Sequence, residues 1–420
     1  MIFQKVIPQS LEKPKRFERL KGTVTLLLAA LHKKQVHPMI RRALPLMSLC
    51  LLGGLLASCS TASKPQAKEV LVQQIAQEVE PSWSATVPAF GVFMTPHVKG
   101  PLVTVASDNG LVTQLDARDG RTLWTLDLKE PLSSGLGSDG TRYSVTTKKN
   151  QILTFDAKGL LWKGALNALS ITPPLVAGER VFVLLADRTV VALDGQTGRL
   201  LWTQQRAGDP LTLNQKGVLL AVQDTLVVGF SGRLVGLNPL SGQARFETPI
   251  AVPRGVNDLE RLVDLVSPVY RFGDMVCVRA FQAQVGCVNA QRGNLLWSRS
   301  SNGDQGLTGN EDVLASVESN GLVMAWSRTT GEKIFESDVL KYRKLSTPLL
   351  VPEGLVVSDS TGMMYLMSLK DGHLLNKIDS RTQSSMGTLV PMDGGFLYAS
   401  QAGSIKAYKL PTPNVKLKTQ

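Results

Sequence analysis

The residue best placed for chemistry is Cys59, at the end of an apolar run near the N-terminus. Met39-Ile40-Arg41-Arg42 introduces the run over residues 44–56, which ends in Leu56-Ala57-Ser58-Cys59. A basic pair, a short apolar core and a small-residue cleavage site are typical of a secretory signal. The run is shorter than the roughly 20 residues that span a bilayer as a helix. The Leu-Ala-Ser-Cys ending resembles a bacterial lipobox, so we predict that the Cys59 thiol is diacylated and becomes the new N-terminus.

Cys59 divides the N-terminal part of the chain into segments that precede it and a tether that follows it. Residues 1–38 form an N-terminal extension, with Met39 as a candidate start of translation, and residues 39–58 form the lipoprotein signal peptide. Residues 59–82 are polar and rich in Gln and Glu, which is typical of a tether between an anchor and a folded body. Ser60 follows the Cys where Gram-negative lipoproteins kept in the inner membrane carry Asp, so we expect the outer membrane, facing the periplasm.

The positive charge is concentrated in the same N-terminal segment. The whole chain carries a formal charge of +12, but its first 58 residues hold ten Lys and Arg against two Glu. The remainder therefore carries only +4, and it has no basic cluster interleaved with aromatic residues. We predict no nucleic-acid partner.

Cys277 and Cys287 are the other pair of side chains with chemistry to offer. They lie in a predicted hairpin centred on Gln282, which places them directly opposite each other on adjacent strands. The periplasm is oxidising enough for a disulfide to form. A disulfide between them and a pair of buried free thiols both remain open.

The rest of the sequence offers no constellation for catalysis. Two of the four His precede Cys59, the other two are His97 and His373, and no Cys/His spacing suggests zinc. No nucleophile elbow, phosphate-binding Gly loop or paired-carboxylate motif occurs. We therefore predict no enzyme activity, no metal and no cofactor.

A repeat accounts for nearly all of the chain after the tether. Five copies have an alternating apolar stretch, Asp or Asn, a turn ending in Gly, and an aromatic residue three or four positions later. The sixth and seventh copies are degenerate, with Ser in place of the Asp or Asn and, in the seventh, Asn376 in place of the aromatic residue. The turn glycines are Gly120, Gly159, Gly198, Gly242, Gly293, Gly331 and Gly372, separated by 39, 39, 44, 51, 38 and 41 residues. A period near 40 with short strands is typical of propeller blades. The Asp or Asn side chain suits a turn, and Gly supplies positive φ.

An eighth copy is divided between the two ends of the repeat region. It starts at Gly403 and the chain ends before its Gly and Trp, whereas Trp83 supplies a matching strand at the other end. We predict an all-β fold, an eight-bladed β-propeller over residues 83–411 whose ring closes by pairing of the N- and C-terminal strands, followed by a tail over 412–420. Such closure leaves no exposed edge at the seam.

A lipobox, a tether and eight blades with this Asp…Gly…Trp motif resemble the BamB family, the propeller lipoproteins of the β-barrel assembly machinery, over residues 39–410. The resemblance implies a scaffold that binds the periplasmic domains of the central barrel subunit, with other assembly lipoproteins and unfolded outer-membrane clients as further partners. The alternative is a periplasmic quinone-dependent dehydrogenase or its inactive relative, because those enzymes build eight blades from a similar Trp motif.

The resemblance also implies where the partner binds. The family's Leu-x-Leu-Arg segment corresponds to Leu211-Thr212-Leu213-Asn214, with Asn in place of Arg. Its Arg-Leu-x-Asp-x-Asp loop corresponds to Arg261-Leu262-Val263-Asp264, with Val266 in place of the second Asp. The widest glycine spacing contains this second segment, and insertions in repeat proteins often map to a binding face. A tolerated surface loop is the alternative for this insertion.

Overall fold

The computed structural model describes residues 67, 78–206, 212–254, 256, 261–382 and 386–410. The chain separates into two compact units, Met1–Pro65 and Gln66–Gln420. The predicted extension, signal peptide and lipidated Cys59 lie outside the described residues, as do Leu211 and the predicted tail. The described residues contain no helix that is long and apolar enough to cross a membrane.

The second unit consists of short antiparallel strands grouped in fours. Blade 1 contains β2 (His97–Lys99), β3 (Leu102–Ala106), β4 (Leu111–Asp116) and β5 (Thr122–Asp127). Blade 2 contains β6 (Gly137–Ser138), β7 (Tyr143–Thr146), β8 (Gln151–Asp156) and β9 (Gly159–Ala165). Blade 3 contains β10 (Leu175–Ala177), β11 (Arg180–Leu184), β12 (Thr189–Asp194) and β13 (Leu200–Gln205). Blade 4 contains β14 (Leu219–Val222), β15 (Thr225–Phe230), β16 (Arg233–Leu237) and β17 (Ala244–Pro249).

The second half of the unit repeats this arrangement. Blade 5 contains β18 (Leu265–Phe272), β19 (Met275–Ala280), β20 (Gln284–Asn289) and β21 (Asn294–Ser300). Blade 6 contains β22 (Thr308–Gly309), β23 (Val313–Val317), β24 (Val323–Ser327) and β25 (Lys333–Ser337). Blade 7 contains β26 (Leu349–Val351), β27 (Gly354–Ser358), β28 (Met363–Met367) and β29 (Leu374–Asp379). Blade 8 contains β30 (Thr388–Met392), β31 (Gly395–Ala399), β32 (Ser404–Tyr408) and β1 (Trp83–Thr86).

The eight sheets form an eight-bladed β-propeller, and the first and last strands of the chain close it. Trp83 of β1 pairs with Ala407 of β32, so the eighth blade takes its outermost strand from the other end of the unit. The innermost strands β2 and β30 of the neighbouring first and last blades are in contact. The predicted fold, including the divided blade, is confirmed.

The repeated Asp and Asn residues form the turns that the sequence predicts. The Asp116 carboxylate accepts a hydrogen bond from the backbone N–H of Arg118 at 2.9 Å, and Asp194 accepts one from Gln196 at 3.1 Å. Asn238 does the same with the N–H of Leu240. Side chains that satisfy the backbone two residues on stabilise a tight turn. These residues therefore order the link between the third and fourth strands of blades 1, 3 and 4.

The repeated aromatic residues lie on the outermost strands and pack on the turn glycine of the next blade. A Cβ added to Gly198 would lie 2.5 Å from Cε3 of Trp162, and one on Gly120 would lie 2.4 Å from Cε3 of Trp83. The indole N–H of Trp162 donates to the carbonyl of Gly195 in the same turn, at 3.0 Å. The glycine is thus required twice, for its positive φ and for the close approach of the ring.

Trp124 departs from this pattern because the turn that follows it in blade 2 is one residue shorter. A Cβ on Gly159 would meet no atom of the described residues within 4 Å, so the Trp124 ring does not cover this glycine. Trp124 is half-buried and meets the ring of Tyr143 edge-on, with centroids 6.0 Å apart. The length of the turn therefore decides how the aromatic residue of the preceding blade packs.

The antiparallel order of each blade assigns the loops to two faces. The connections between blades and the turns between second and third strands lie on the same side, which we call the connection face. The turns between first and second and between third and fourth strands lie on the opposite face. Segments from different blades can therefore meet on the connection face.

Candidate functional site

Two of the predicted partner-binding segments meet on the connection face. Leu213 lies in the connection from blade 3 to blade 4, and Asp264 lies in the connection from blade 4 to blade 5. The backbone N–H of Leu213 donates to Oδ2 of Asp264 at 2.9 Å. The backbone carbonyl of Asp264 in turn accepts the N–H of Phe281 at 3.0 Å, which ties the loop to blade 5. A single carboxylate thus joins two loops that are distant in sequence.

Arg188 approaches the same carboxylate from a third direction. It lies in the turn between β11 and β12 of blade 3, and its Nη2 is 3.9 Å from Oδ1 of Asp264. That separation is an ion-pair distance and is too long for a hydrogen bond. The two side chains are only 11% and 19% exposed. Solvent and salt therefore screen this pair less than a fully exposed one.

The backbone at Arg188 is unusual for the residue type. Its φ is +63°, whereas the equivalent turn position holds Gly110, Gly321 and Gly362 in other blades and Asn150 in blade 2. A left-handed conformation costs a side-chain-bearing L-residue about 1–2 kcal/mol relative to its usual backbone. Residues with a strained backbone persist only where the surrounding fold holds them in place, and they are concentrated at functional sites.

The segments that contain Arg188, Leu213 and Asp264 line an open cleft between blades 3 and 4. The buried side chains of Phe230, Leu265 and Val266 contribute apolar surface, and Arg188 and Asp264 contribute charge. The full lining is Ile171, Thr172, Leu184, Leu185, Ala186, Arg188, Thr212, Leu213, Gln215, Gly217, Gly229, Phe230, Ser231, Asp264, Leu265 and Val266. Apolar walls with a few placed polar groups are typical of recognition sites.

The other residues of the two predicted partner-binding segments differ in their positions relative to the cleft. Asn214 and Arg261 are exposed beside the cleft but do not line it. Val266 is 1% exposed, so the residue that replaces the family's second Asp is a wall of the cleft. A carboxylate at this depth would lose its hydration, which is costly without a paired charge. Leu211, the first residue of the predicted segment, lies outside the described residues.

A hydrogen bond beside the cleft links distant blades, and no sequence pattern predicts it. Nζ of Lys216 donates to Oγ1 of Thr95 at 2.9 Å. Thr95 belongs to the connection from blade 8 to blade 1, and Lys216 to the connection from blade 3 to blade 4, so the bond joins blades that are not neighbours. Burial of the ammonium group lowers the pKa of Lys216 to about 8. Its backbone carbonyl accepts the N–H of Ser267, which connects the bridge to blade 5.

Cys277 and Cys287 are buried in blade 5, away from the lining of the cleft. They face each other on β19 and β20, and the residue at the centre of the hairpin, Gln282, has a φ of +47°. The structure joins the two sulfur atoms in a disulfide, with the Cα atoms 4.0 Å apart. The sequence left this bond open, and the structure has the bonded form.

Charged groups elsewhere in the propeller serve contacts between blades and within single turns. The guanidinium of Arg279 in blade 5 is fully buried, donates to the carbonyl of Val317 at 2.9 Å and pairs with Glu318 of blade 6 at 3.4 Å. The Asp116 carboxylate is held by the Arg118 side chain, which keeps the pKa of Asp116 well below its usual range. Among the described residues, no group of three or more His, Cys, Asp or Glu could hold a metal ion.

Comparison with known proteins places this architecture in a family. The family model described as outer membrane protein assembly factor BamB matches residues 108–337. BamB from Burkholderia pseudomallei is 30% identical over 338 residues, which cover 79% of this chain and 88% of that protein. The chain belongs to the BamB family of outer membrane protein assembly factors. The family membership that the resemblance implied is confirmed.

Other relatives agree with this assignment. BamB from Bordetella pertussis is 27% identical over 374 residues, covering 86% of this chain and 97% of that protein. The crystal structure of BamB from Moraxella catarrhalis superposes with a TM-score of 0.72 at 19% identity, over 79% of this chain and 100% of that one.

A quinohemoprotein alcohol dehydrogenase from Comamonas testosteroni also superposes, with a TM-score of 0.60 at 12% identity over 80% of this chain and 78% of that one. This likeness shows the fold alone. Family membership therefore favours the assembly factor over the dehydrogenase that the sequence left as an alternative.

The sequence reasoning missed Arg188, Ser231 and Lys216. For Arg188 a signal was present, since it aligns with Gly110 when the repeats are superimposed on their Asp residues. The third repeat has a long charged residue at a turn position where other repeats have Gly, and this difference is visible in the sequence. No comparable signal existed for Lys216, because its partner lies 121 residues away.

Proposed function

We propose that this BamB-family chain is a non-catalytic scaffold lipoprotein of the β-barrel assembly machinery. It binds the periplasmic domains of the central barrel subunit through the cleft between blades 3 and 4, and it assists the folding and insertion of outer-membrane proteins. The observation that carries the proposal is the meeting of Leu213 and Asp264 at one cleft. Their segments correspond to the two that the family resemblance implies for partner binding.

The chemistry of the cleft suits a protein segment. Its walls are apolar, so a partner side chain that enters loses little hydration and gains contact. The Ser231 hydroxyl is buried at the cleft and has no hydrogen-bond partner among the described residues. An unsatisfied buried hydroxyl costs about 1–3 kcal/mol, which a backbone or side-chain group of the partner can recover.

In this proposal, a lipid anchor on Cys59 accounts for the location of the protein at the outer membrane. The anchor holds the protein at the outer membrane, and the tether lets the propeller face the periplasm. Glu78 and Glu80 lie shortly before β1, and their carboxylates pair with the Arg381 guanidinium at 2.5 and 2.6 Å. These exposed pairs stabilise the fold little, and they lie where the chain reaches the propeller.

Other assembly lipoproteins and unfolded clients are further partners in this proposal. Among the described strands, the outermost one of each blade has one edge without a backbone partner in its own sheet. Several of these strands also expose apolar side chains, among them Leu160 and Leu161 on β9 and Leu295 and Leu296 on β21. An open edge flanked by apolar residues can receive an extended client segment as an additional strand.

Affinity purification of the tagged protein from detergent-solubilised membranes tests the main proposal. We expect the central barrel subunit to co-purify with the wild type and its recovery to fall with Asp264→Arg. Asp312→Arg introduces the same charge change at an exposed residue in the turn from β22 to β23, on the opposite face, and serves as the matched control. Absence of the subunit from the wild-type eluate would remove the proposal, and equal recovery with Asp264→Arg would remove the cleft from it.

A further inference from the structure

We propose that Arg188 is a positioning residue for partner binding, which holds Asp264 so that its carboxylate fixes Leu213 at the cleft. The inference rests on the proposed function and adds a residue from a different blade and a different loop. It has three supports, which are the backbone conformation of Arg188, its contact with Asp264 and the burial of both side chains.

The first support is the type of residue at this turn. Four blades carry Gly at the position equivalent to Arg188, namely Gly110, Gly321, Gly362 and Gly403, all with positive φ. The turn in blade 3 closes with the same N–H to carbonyl bond that closes the turn in blade 1, from Arg188 to Leu185 as from Gly110 to Ser107. The turn itself therefore does not need an arginine.

The second support is what the side chain reaches. The Arg188 guanidinium lies 3.9 Å from Oδ1 of Asp264, while Oδ2 of the same carboxylate accepts the N–H of Leu213. The two oxygens thus face different segments. Oδ1 faces the Arg188 turn of blade 3, and Oδ2 faces the connection from blade 3 to blade 4. The positive charge on the Oδ1 side favours the carboxylate orientation in which Oδ2 faces the N–H of Leu213.

The third support is that these groups are too enclosed to act mainly as free charges. Arg188 is 11% exposed and Asp264 is 19% exposed, whereas Leu213 lines the cleft directly. The ordered pair therefore acts on the partner through the loop that it holds. A loop that is already in its bound conformation binds more tightly, because less conformational entropy is lost on association.

The test measures the Kd of the purified full chain for the isolated periplasmic domains of the central barrel subunit. Arg188→Asn places at this turn the residue that blade 2 uses, so the blade should fold and its urea midpoint should stay unchanged or rise. We expect the Kd to increase at least tenfold. Asn150→Gly is the matched control at the equivalent turn of blade 2, and its Kd should equal that of the wild type.

A double-mutant cycle separates positioning from independent contacts. If Arg188 acts through Asp264, then Arg188→Asn combined with Asp264→Ala weakens binding no more than Asp264→Ala alone. Asp264→Asn keeps an oxygen for the N–H of Leu213 and should bind more tightly than Asp264→Ala. Losses that multiply in the double variant, or an Arg188→Asn variant that binds like the wild type, would overturn the inference while leaving the proposed function intact. A wild-type chain that fails to bind would overturn both.

Discussion

The backbone N–H of Leu213 and the carboxylate of Asp264 are joined by a 2.9 Å hydrogen bond across 51 residues of sequence. This bond makes one surface out of the connections on either side of blade 4. Each loop alone is an irregular segment, and together they border a cleft with apolar walls. The proposed partner site is therefore a property of how neighbouring blades are placed, and not of either motif by itself.

The packing of aromatic rings on turn glycines predicts different costs for two similar substitutions in blade 3. Gly198→Ala places a methyl group against the Trp162 ring and adds strain at a φ of +73°, so we expect a loss of about 2–4 kcal/mol in the free energy of unfolding. Gly178→Ala, at a φ of +57° with no atom within 4 Å, should lose about 1 kcal/mol from strain alone. Urea unfolding measures both, and equal losses would contradict the role of the ring.

The buried ammonium of Lys216 predicts a pH dependence of stability. Because burial lowers the pKa of Lys216 to about 8, the folded protein loses this proton at a lower pH than the unfolded chain does. Stability contributed by this group therefore rises with pH from about 8 up to the ordinary lysine pKa, and below pH 8 the buried charge is a cost.

Replacement of this lysine by an apolar residue of similar length removes the dependence. After allowance for the lost bond to Thr95, we expect Lys216→Met to be about 1–2 kcal/mol more stable than the wild type at pH 7. That advantage should disappear by pH 10. Lys158→Met, at an exposed position, is the control. A difference between Lys216→Met and wild type that stays constant from pH 7 to 10 would disprove the account of the buried charge.

The disulfide in blade 5 predicts both a peptide map and a stability change. After alkylation without reduction, the tryptic peptides over residues 272–279 and 280–292 should remain joined through Cys277 and Cys287. Reduction should lower the free energy of unfolding by about 2–3 kcal/mol, the value for a closed loop of roughly ten residues. Recovery of both peptides in alkylated form from unreduced protein would show free thiols instead.

The sequence was sufficient to predict the propeller because each blade contains its own local signals. Asp116 and Gly120 specify a turn, and the alternating residues before them specify a strand, without reference to the rest of the chain. Trp83 identified the divided blade for the same reason. The half-buried position of Trp124 was not foreseen, because its packing depends on the length of a turn in the next blade.

The arrangement of the site could be predicted only in part. The residues identified the loop that contains Asp264, and the resemblance identified the segment that contains Leu213. Their hydrogen bond depends on the angle between neighbouring blades, which no local pattern encodes. Arg188 was visible as an exception among the turn glycines, but its target was not, because ion pairs between loops follow from tertiary structure.

Photo-crosslinking at the cleft tests the central claim most directly. A photoreactive amino acid at position 213 should form an adduct with the central barrel subunit in intact cells, since Leu213 lines the proposed site. The same probe at Leu240, which is 65% exposed in a turn on the opposite face, should form none. No adduct from position 213 at normal protein levels, or the same adduct from position 240, would contradict the account.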